Sequence, residues 1–165
     1  MDKRLLRLLR KLAIYMFKPG DKAPDFKLIA DNGETVSLKN YKGKKVVLYF
    51  YPKDMTSGCT VEACDFRDNI KNIEKKNSVV IGVSADDTKS HVKFKDKYDL
   101  PFTLLSDESK KMLEDYGVWQ EKSMYGRKFM GIVRTTFIID EKGKIEKVYE
   151  KVKVDGHVED IVKSL

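Results

Sequence analysis

Residues 45–51 read Lys-Val-Val-Leu-Tyr-Phe-Tyr. After the lysine every side chain is apolar or aromatic. A run this short and unbroken is the mark of a strand buried on both faces at the centre of a sheet. Pro52 ends it, because proline has no N–H to give to a ladder. A second run of this kind, Val-Val-Ile-Gly-Val, spans residues 79–83.

Helical periodicity fills the space around these two strands. One helix is predicted over residues 57–72 and another over 88–98. A short strand at 102–105 and a short helix at 108–116 follow. Residues 134–140 and 144–150 read as two strands joined at Glu141-Lys142-Gly143, and residues 156–165 as a closing helix. Near the start, 26–30 and 35–38 flank Asp31-Asn32-Gly33, a tight-turn signal, since Asn-Gly suits the positive φ angles of a hairpin. The stretch around Arg127 reads as loop-like. The pattern is α/β, with a central mixed sheet flanked by helices and an N-terminal hairpin. A βαβ start, a cysteine at a strand-to-helix turn and a closing hairpin plus helix indicate a thioredoxin-like fold. Residues 16–165 are expected to form one domain around one core.

The chain carries 33 Lys and Arg against 26 Asp and Glu, a net charge of +7. Much of that excess lies in residues 1–15, where Lys3, Arg4, Arg7, Arg10 and Lys11 face Asp2 alone. Elsewhere the lysines are mixed with acids, as in Glu74-Lys75-Lys76, and no basic stripe with interleaved aromatics marks a nucleic-acid surface. Leu5, Leu8, Leu9 and Leu12 recur at helical spacing among the basic residues, so 1–15 read as a basic amphipathic extension. Its charges interrupt the apolar run that a signal peptide needs. Either it packs loosely, with Met16 as an alternative start, or it touches anionic lipid at a membrane surface. No run of the sequence is long and apolar enough to span a bilayer. A cytoplasmic location is expected.

Two cysteines, Cys59 and Cys64, are too few for a disulfide scaffold and point instead to redox or nucleophilic chemistry. Cys59 falls at the start of the 57–72 helix, with Thr56 and Ser57 as N-cap candidates. Gly58 lets backbone N–H groups approach a small ligand. A helix N-terminus offers unpaired N–H groups and partial positive charge, and both favour the nucleophilic thiolate. Glu62 opposes this, so a cation is expected nearby. Arg134, at the head of a strand, is the candidate, with Arg127 the weaker competitor. Cys59, Ala63, Phe66, Ile70 and Ile73 share one helical stripe that should face inward. Cys64 lies five residues from Cys59, about 8.7 Å between Cα atoms in an ideal helix. A disulfide needs about 7 Å or less. If the two pair, the first turns of the helix must unwind. A metal site is not expected, because structural zinc takes four ligands and His91 and His157 lie far off on other helices. Both histidines read as surface residues, and Trp119 as packing.

The stretch from Tyr49 to Asp68 resembles the peroxiredoxins, in particular the bacterioferritin-comigratory or peroxiredoxin Q group. Pro52, Thr56 and Cys59 meet the pattern P-x-x-x-T-x-x-C. Cys64 stands where that group has a second cysteine, five residues on. Arg134 to Asp140 match R-x-T-F-x-I-D. Gly20 to Phe26 match G-D-x-A-P-D-F, and Leu105, Asp107 and Tyr116-Gly117-Val118 match further family positions. Ser57 departs from the family, which commonly has proline there. The resemblance covers residues 16–165 and implies a thiol peroxidase acting on hydrogen peroxide and organic hydroperoxides. It implies that Cys59 becomes a sulfenic acid, that Cys64 resolves it as a disulfide, and that thioredoxin or another dithiol recycles the pair. By the same resemblance Thr56 bonds the thiolate and peroxide, Arg134 stabilises their charge, and Pro52 shields the pocket. No cofactor is implied, and a monomer is favoured. Two other functions compete. One is a thiol–disulfide oxidoreductase, against which the Cys59–Cys64 spacing argues, since that chemistry uses C-x-x-C. The other is a membrane-surface or chaperone-like binding protein working through residues 1–15.

Overall fold

Strand β3 (Lys45–Phe50) lies inside a seven-stranded sheet, and from Val46 onward all its residues are buried. The computed structural model describes residues 2–5 and 17–165. The leucine stripe expected over 1–15, and Met16, lie outside them except for Asp2 to Leu5. Parallel to β3 runs β4 (Ser78–Ser84), with β5 (Thr103–Ser106) parallel beyond it. On the other side β8 (Thr135–Ile139) is antiparallel to β3, and β9 (Ile145–Tyr149) antiparallel to β8. The far edge is the expected hairpin of β1 (Lys27–Ala30) and β2 (Thr35–Ser37), joined to β5 through β1. The sheet order is β2-β1-β5-β4-β3-β8-β9, mixed in direction.

Side chains alternate along β3, so it feeds two cores. Val46, Leu48 and Phe50 join Phe26, Leu113, Tyr116 and Phe137 on one face. That face is covered in part by the short helix α4 (Lys111–Asp115). The rings of Phe50, Tyr116 and Phe137 meet there edge-on or tilted, with centroids 5.2–5.8 Å apart. Val47, Tyr49 and Tyr51 point the other way. They meet α1 (Ser57–Asp68), α2 (Ile70–Lys75), α3 (Thr88–Tyr98) and α5 (His157–Ser164) through Cys59, Ala63, Phe66, Ile73, Phe94, Val158 and Ile161. Each of the Val, Ile and Phe side chains among them contributes roughly 1.5–3 kcal/mol on burial.

Three expectations need correction. The helix predicted over 57–72 is two helices, broken at Asn69, whose side-chain amide and backbone N–H both donate to the Asp65 carbonyl and end α1. The stretch around Arg127 is not loop-like, because residues 119–132 are paired strands. They form a separate hairpin of β6 (Trp119–Met124) and β7 (Arg127–Ile132), so Arg127 sits on an exposed strand. His91 and His157 are not surface residues: their relative exposures are 0% and 6%. Among the described residues, no helix is long and apolar enough to cross a membrane.

Candidate active site

The stretch from Pro52 to Cys59 leaves the end of β3 and enters α1. Thr56 is the N-cap, in extended conformation, and its carbonyl accepts the first helical bond from the Thr60 N–H at 2.9 Å. Its hydroxyl does not cap the helix. It donates to the Lys53 carbonyl at 3.0 Å and so closes the turn behind it. Cys59 is the third residue of α1. Helix geometry leaves the amides of Ser57, Gly58 and Cys59 without an intrahelical acceptor, so the helix directs its positive end at this sulfur. Cys59 is only 1% exposed, whereas Thr56 is open to solvent and Pro52 half-buried.

Arg134 reaches the sulfur from the start of β8. Its Nη2 lies 3.3 Å from Cys59 Sγ, and its Nη1 donates to Glu62 Oε1 at 2.7 Å. The Arg134 carbonyl accepts from the Val152 N–H at 2.9 Å, which fixes the base of the side chain. A Cβ added to Gly58 would stand 3.3 Å from Nη2, so the glycine makes room for the guanidinium. Three of the expected residues, Thr56, Cys59 and Arg134, are thus gathered around one helix terminus. Arg127, the competitor, is exposed on β7 and takes no part in these contacts.

One guanidinium serves two acidic groups. Glu62 is fully buried, and burial pushes its carboxyl up to about 7 although Arg134 pulls the other way. Burial also works against the charge on Arg134, but Glu62 and Cys59 outweigh it and hold the guanidinium protonated. The second carboxyl oxygen of Glu62 and the Tyr49 hydroxyl are buried and have no hydrogen-bond partner among the described residues. Burial, with Glu62 and Cys59 close by, keeps Tyr49 a neutral phenol. The site is therefore a desolvated pocket in which a fixed cation faces a sulfur and a carboxyl that titrates near neutrality.

Cys64 lies further along the intact α1, half-buried, and both cysteines are free thiols. The helix that favours Cys59 as a nucleophile also keeps the two sulfurs apart.

The helix stripe expected to face inward does so, with Cys59, Ala63, Phe66 and Ile73 buried and Ile70 packed against them. Sequence reasoning missed the polar network behind the site. Asp54, in the loop before Thr56, is 5% exposed and meets His91 of α3. The inward stripe His91–Phe94–Tyr98, spaced three and four apart, was the signal that could have placed His91 inside. Asp54, Asp86 and His91 each offer a ligand atom within 4.8 Å of the others. Asp54 Oδ2 already meets His91 Nδ1 and accepts from the Ser90 hydroxyl, Asp86 Oδ2 accepts from the Asp54 backbone N–H and the Ser84 hydroxyl, and the cluster reads as a hydrogen-bond network. On the other side of the site His157 Nε2 lies 2.9 Å from the Thr136 hydroxyl, and burial lowers this imidazole to about 4.

Residues 19–148 match the model of the AhpC/TSA family. The chain is 57% identical over 143 residues to a putative peroxiredoxin bcp of Coxiella burnetii, covering 87% of this chain and 95% of that one. It is 52% identical to peroxiredoxin Bcp of Bacillus subtilis, over 88% of this chain and 93% of its relative. Among solved structures, the bacterioferritin comigratory protein of Xanthomonas campestris, described for its alkyl peroxide reduction activity, superposes with a TM-score of 0.81 at 35% identity. That match covers 84% of this chain and 88% of the other.

Proposed function

The chain belongs to the AhpC/TSA family, in its peroxiredoxin Bcp group, and from this premise we propose how its residues divide the work of a thiol-dependent peroxidase. The Cys59 thiolate attacks one oxygen of the peroxide. The O–O bond breaks, sulfur keeps one oxygen as a sulfenic acid, and the other leaves as alkoxide or hydroxide and takes up a proton. Arg134 holds the sulfur and stabilises the charge that moves from it to the leaving oxygen, an electrostatic role of the oxyanion-hole type. Thr56 orients the peroxide at the open side of the pocket, and Pro52 keeps water from the back of the loop. The Cys64 thiol then attacks the sulfenic sulfur, water leaves and a disulfide forms. For this the first turns of α1 unwind. An external dithiol, a thioredoxin or similar protein, reduces the disulfide by exchange. Electrons pass only through sulfur, so no cofactor is needed.

The observation that carries this reading is the Arg134 guanidinium, 3.3 Å from Cys59 Sγ at a helix N-terminus. Hydrogen peroxide and organic hydroperoxides are the proposed substrates. We place the protein in the cytoplasm as a monomer, with residues 16–165 as its one domain and residues 1–15 as an extension that can rest on anionic lipid.

The test couples peroxide to NADPH through thioredoxin and its reductase. Peroxide-dependent NADPH oxidation is expected with wild type and not with Cys59→Ser. Reduction of insulin disulfides without peroxide consumption would instead make the chain a thiol–disulfide oxidoreductase.

A further inference from the structure

We propose that the buried pair Asp54–His91 is a positioning device for the reacting cysteine, fixing the loop that carries Thr56 and Cys59 so that the thiolate meets peroxide in line. The proposal rests on the peroxidase reading above and adds residues that touch neither sulfur nor substrate.

His91 is fully buried on α3, and both ring nitrogens are engaged. Nε2 lies 2.9 Å from the Leu105 carbonyl, which can only accept, so Nε2 carries a proton. Nδ1 lies 2.7 Å from Asp54 Oδ2. Two lone pairs would repel at that distance, so a proton lies between them as well. The other contacts of the Asp54 carboxyl decide where it resides. The Tyr51 hydroxyl donates to Oδ1 at 2.6 Å, and the Ser90 hydroxyl donates to Oδ2 at 2.8 Å. Burial works against a charge on His91, but its hydrogen bonds to Asp54 and to the Leu105 carbonyl outweigh it and raise the imidazole above its ordinary value. The Asp54 backbone N–H donates in turn to Asp86 Oδ2 at 2.8 Å, which also accepts from the Ser84 hydroxyl. The titratable groups facing the pair are therefore Tyr51, the residue after β3, whose hydroxyl is also 3.4 Å from Nδ1, and Asp86 from the turn after β4. Asp87 caps α3 by accepting from the Ser90 N–H. β5 contributes only the Leu105 carbonyl.

This network ties one residue of the catalytic loop to β3, to the turn after β4, to α3 and to β5. Immediately after the tie, Met55 holds a left-handed backbone, φ +65°, which a side-chain-bearing residue adopts only under constraint. Thr56 then caps α1, and Cys59 follows three residues later. Asp54 is thus the fixed post from which the loop turns into the helix. It remains fixed when the first turns of α1 unwind to bring Cys59 to Cys64, so the reduced pocket re-forms from a set starting point. Misplacing a reacting atom by about 1 Å costs on the order of a hundredfold in rate. A loop cut loose from its post loses that alignment while leaving the sulfur chemically intact.

The experiment compares two reactions of Cys59 in the reduced full-length protein. Oxidation by hydrogen peroxide needs alignment with Thr56 and Arg134. Alkylation by iodoacetamide needs only an accessible thiolate. Wild type, Asp54→Ala, His91→Phe and His91→Asn are followed across pH 5–9, well below each variant's melting temperature. For Asp54→Ala and His91→Phe the peroxide rate is expected to fall about 10- to 100-fold, with alkylation unchanged or faster. In His91→Asn the side-chain amide can still donate to Asp54, and part of the peroxide rate should return. Either of two results overturns the proposal: peroxide rates at the wild-type level in both Asp54→Ala and His91→Phe, or peroxide and alkylation rates that fall in parallel. Equal loss in His91→Phe and His91→Asn does so too, since the donated bond would then be irrelevant. A wild type that consumes no peroxide contradicts the peroxidase reading itself, and the positioning role falls with it.

Discussion

The two faces of strand β3 differ in what they bury. Val46, Leu48 and Phe50 add no polar atom to their side, where aromatic rings interlock with Tyr116 and Phe137. Val47, Tyr49 and Tyr51 add two buried hydroxyls to the other. Around those hydroxyls lie Asp54, Glu62 and His91, all buried, and Cys59 beside Arg134, with buried His157 held by Thr136. A single strand thus divides the molecule into a face that supplies cohesion and a face that holds desolvated charge for chemistry. Buried charge is costly unless paired. The first face is what allows the second to exist.

The two faces differ most at Arg134. Arg134→Met removes the cation from both Cys59 and Glu62. The peroxide rate measured by stopped flow is expected to fall by about 100-fold or more. Glu62 then takes up a proton, so the loss of stability should be small beside the loss of rate. The opposite split is expected on the apolar face. Phe137→Ala should cost about 3–5 kcal/mol in chemical denaturation and leave the peroxide rate of the folded fraction near wild type. A large rate loss in Phe137→Ala would mean the two faces are not separable.

A smaller effect sharpens the contrast. His157 is lowered to about 4 by burial, whereas an unfolded histidine titrates near 6.5. The unfolded chain therefore binds this proton first. The stability that neutral His157 confers is present above pH 6.5 and is lost as pH falls towards 4, by about 3 kcal/mol. Denaturation midpoints between pH 7 and 4 measure it. In His157→Gln that part of the slope should disappear.

Much of this was legible in the chain itself. The unbroken run in β3, the Asn-Gly turn and the inward stripe of α1 placed the sheet, the hairpin and Cys59, because each is a local pattern. Arg134 could be chosen because an anion at a helix terminus beside Glu62 calls for a cation, and the strand head was the right place for one. The β6–β7 hairpin was not legible: its residues are mostly exposed and pair only with each other, so neither strand carries a buried face to set a period. The two histidines were missed for a different reason. What buries His91 is a partner 37 residues away in a loop, and what holds His157 is Thr136, 21 residues earlier on β8. Such pairings exist only after the fold has formed.

The most direct test is the mass of the intact protein after a brief, low dose of hydrogen peroxide. In wild type, loss of two hydrogens is expected, in Cys64→Ser a gain of one oxygen, and in Cys59→Ser no change. Oxidation of Cys59→Ser at the wild-type rate, or a wild type that reacts no faster than a small free thiol, would contradict the assignment of Cys59 as the sulfur that meets the peroxide.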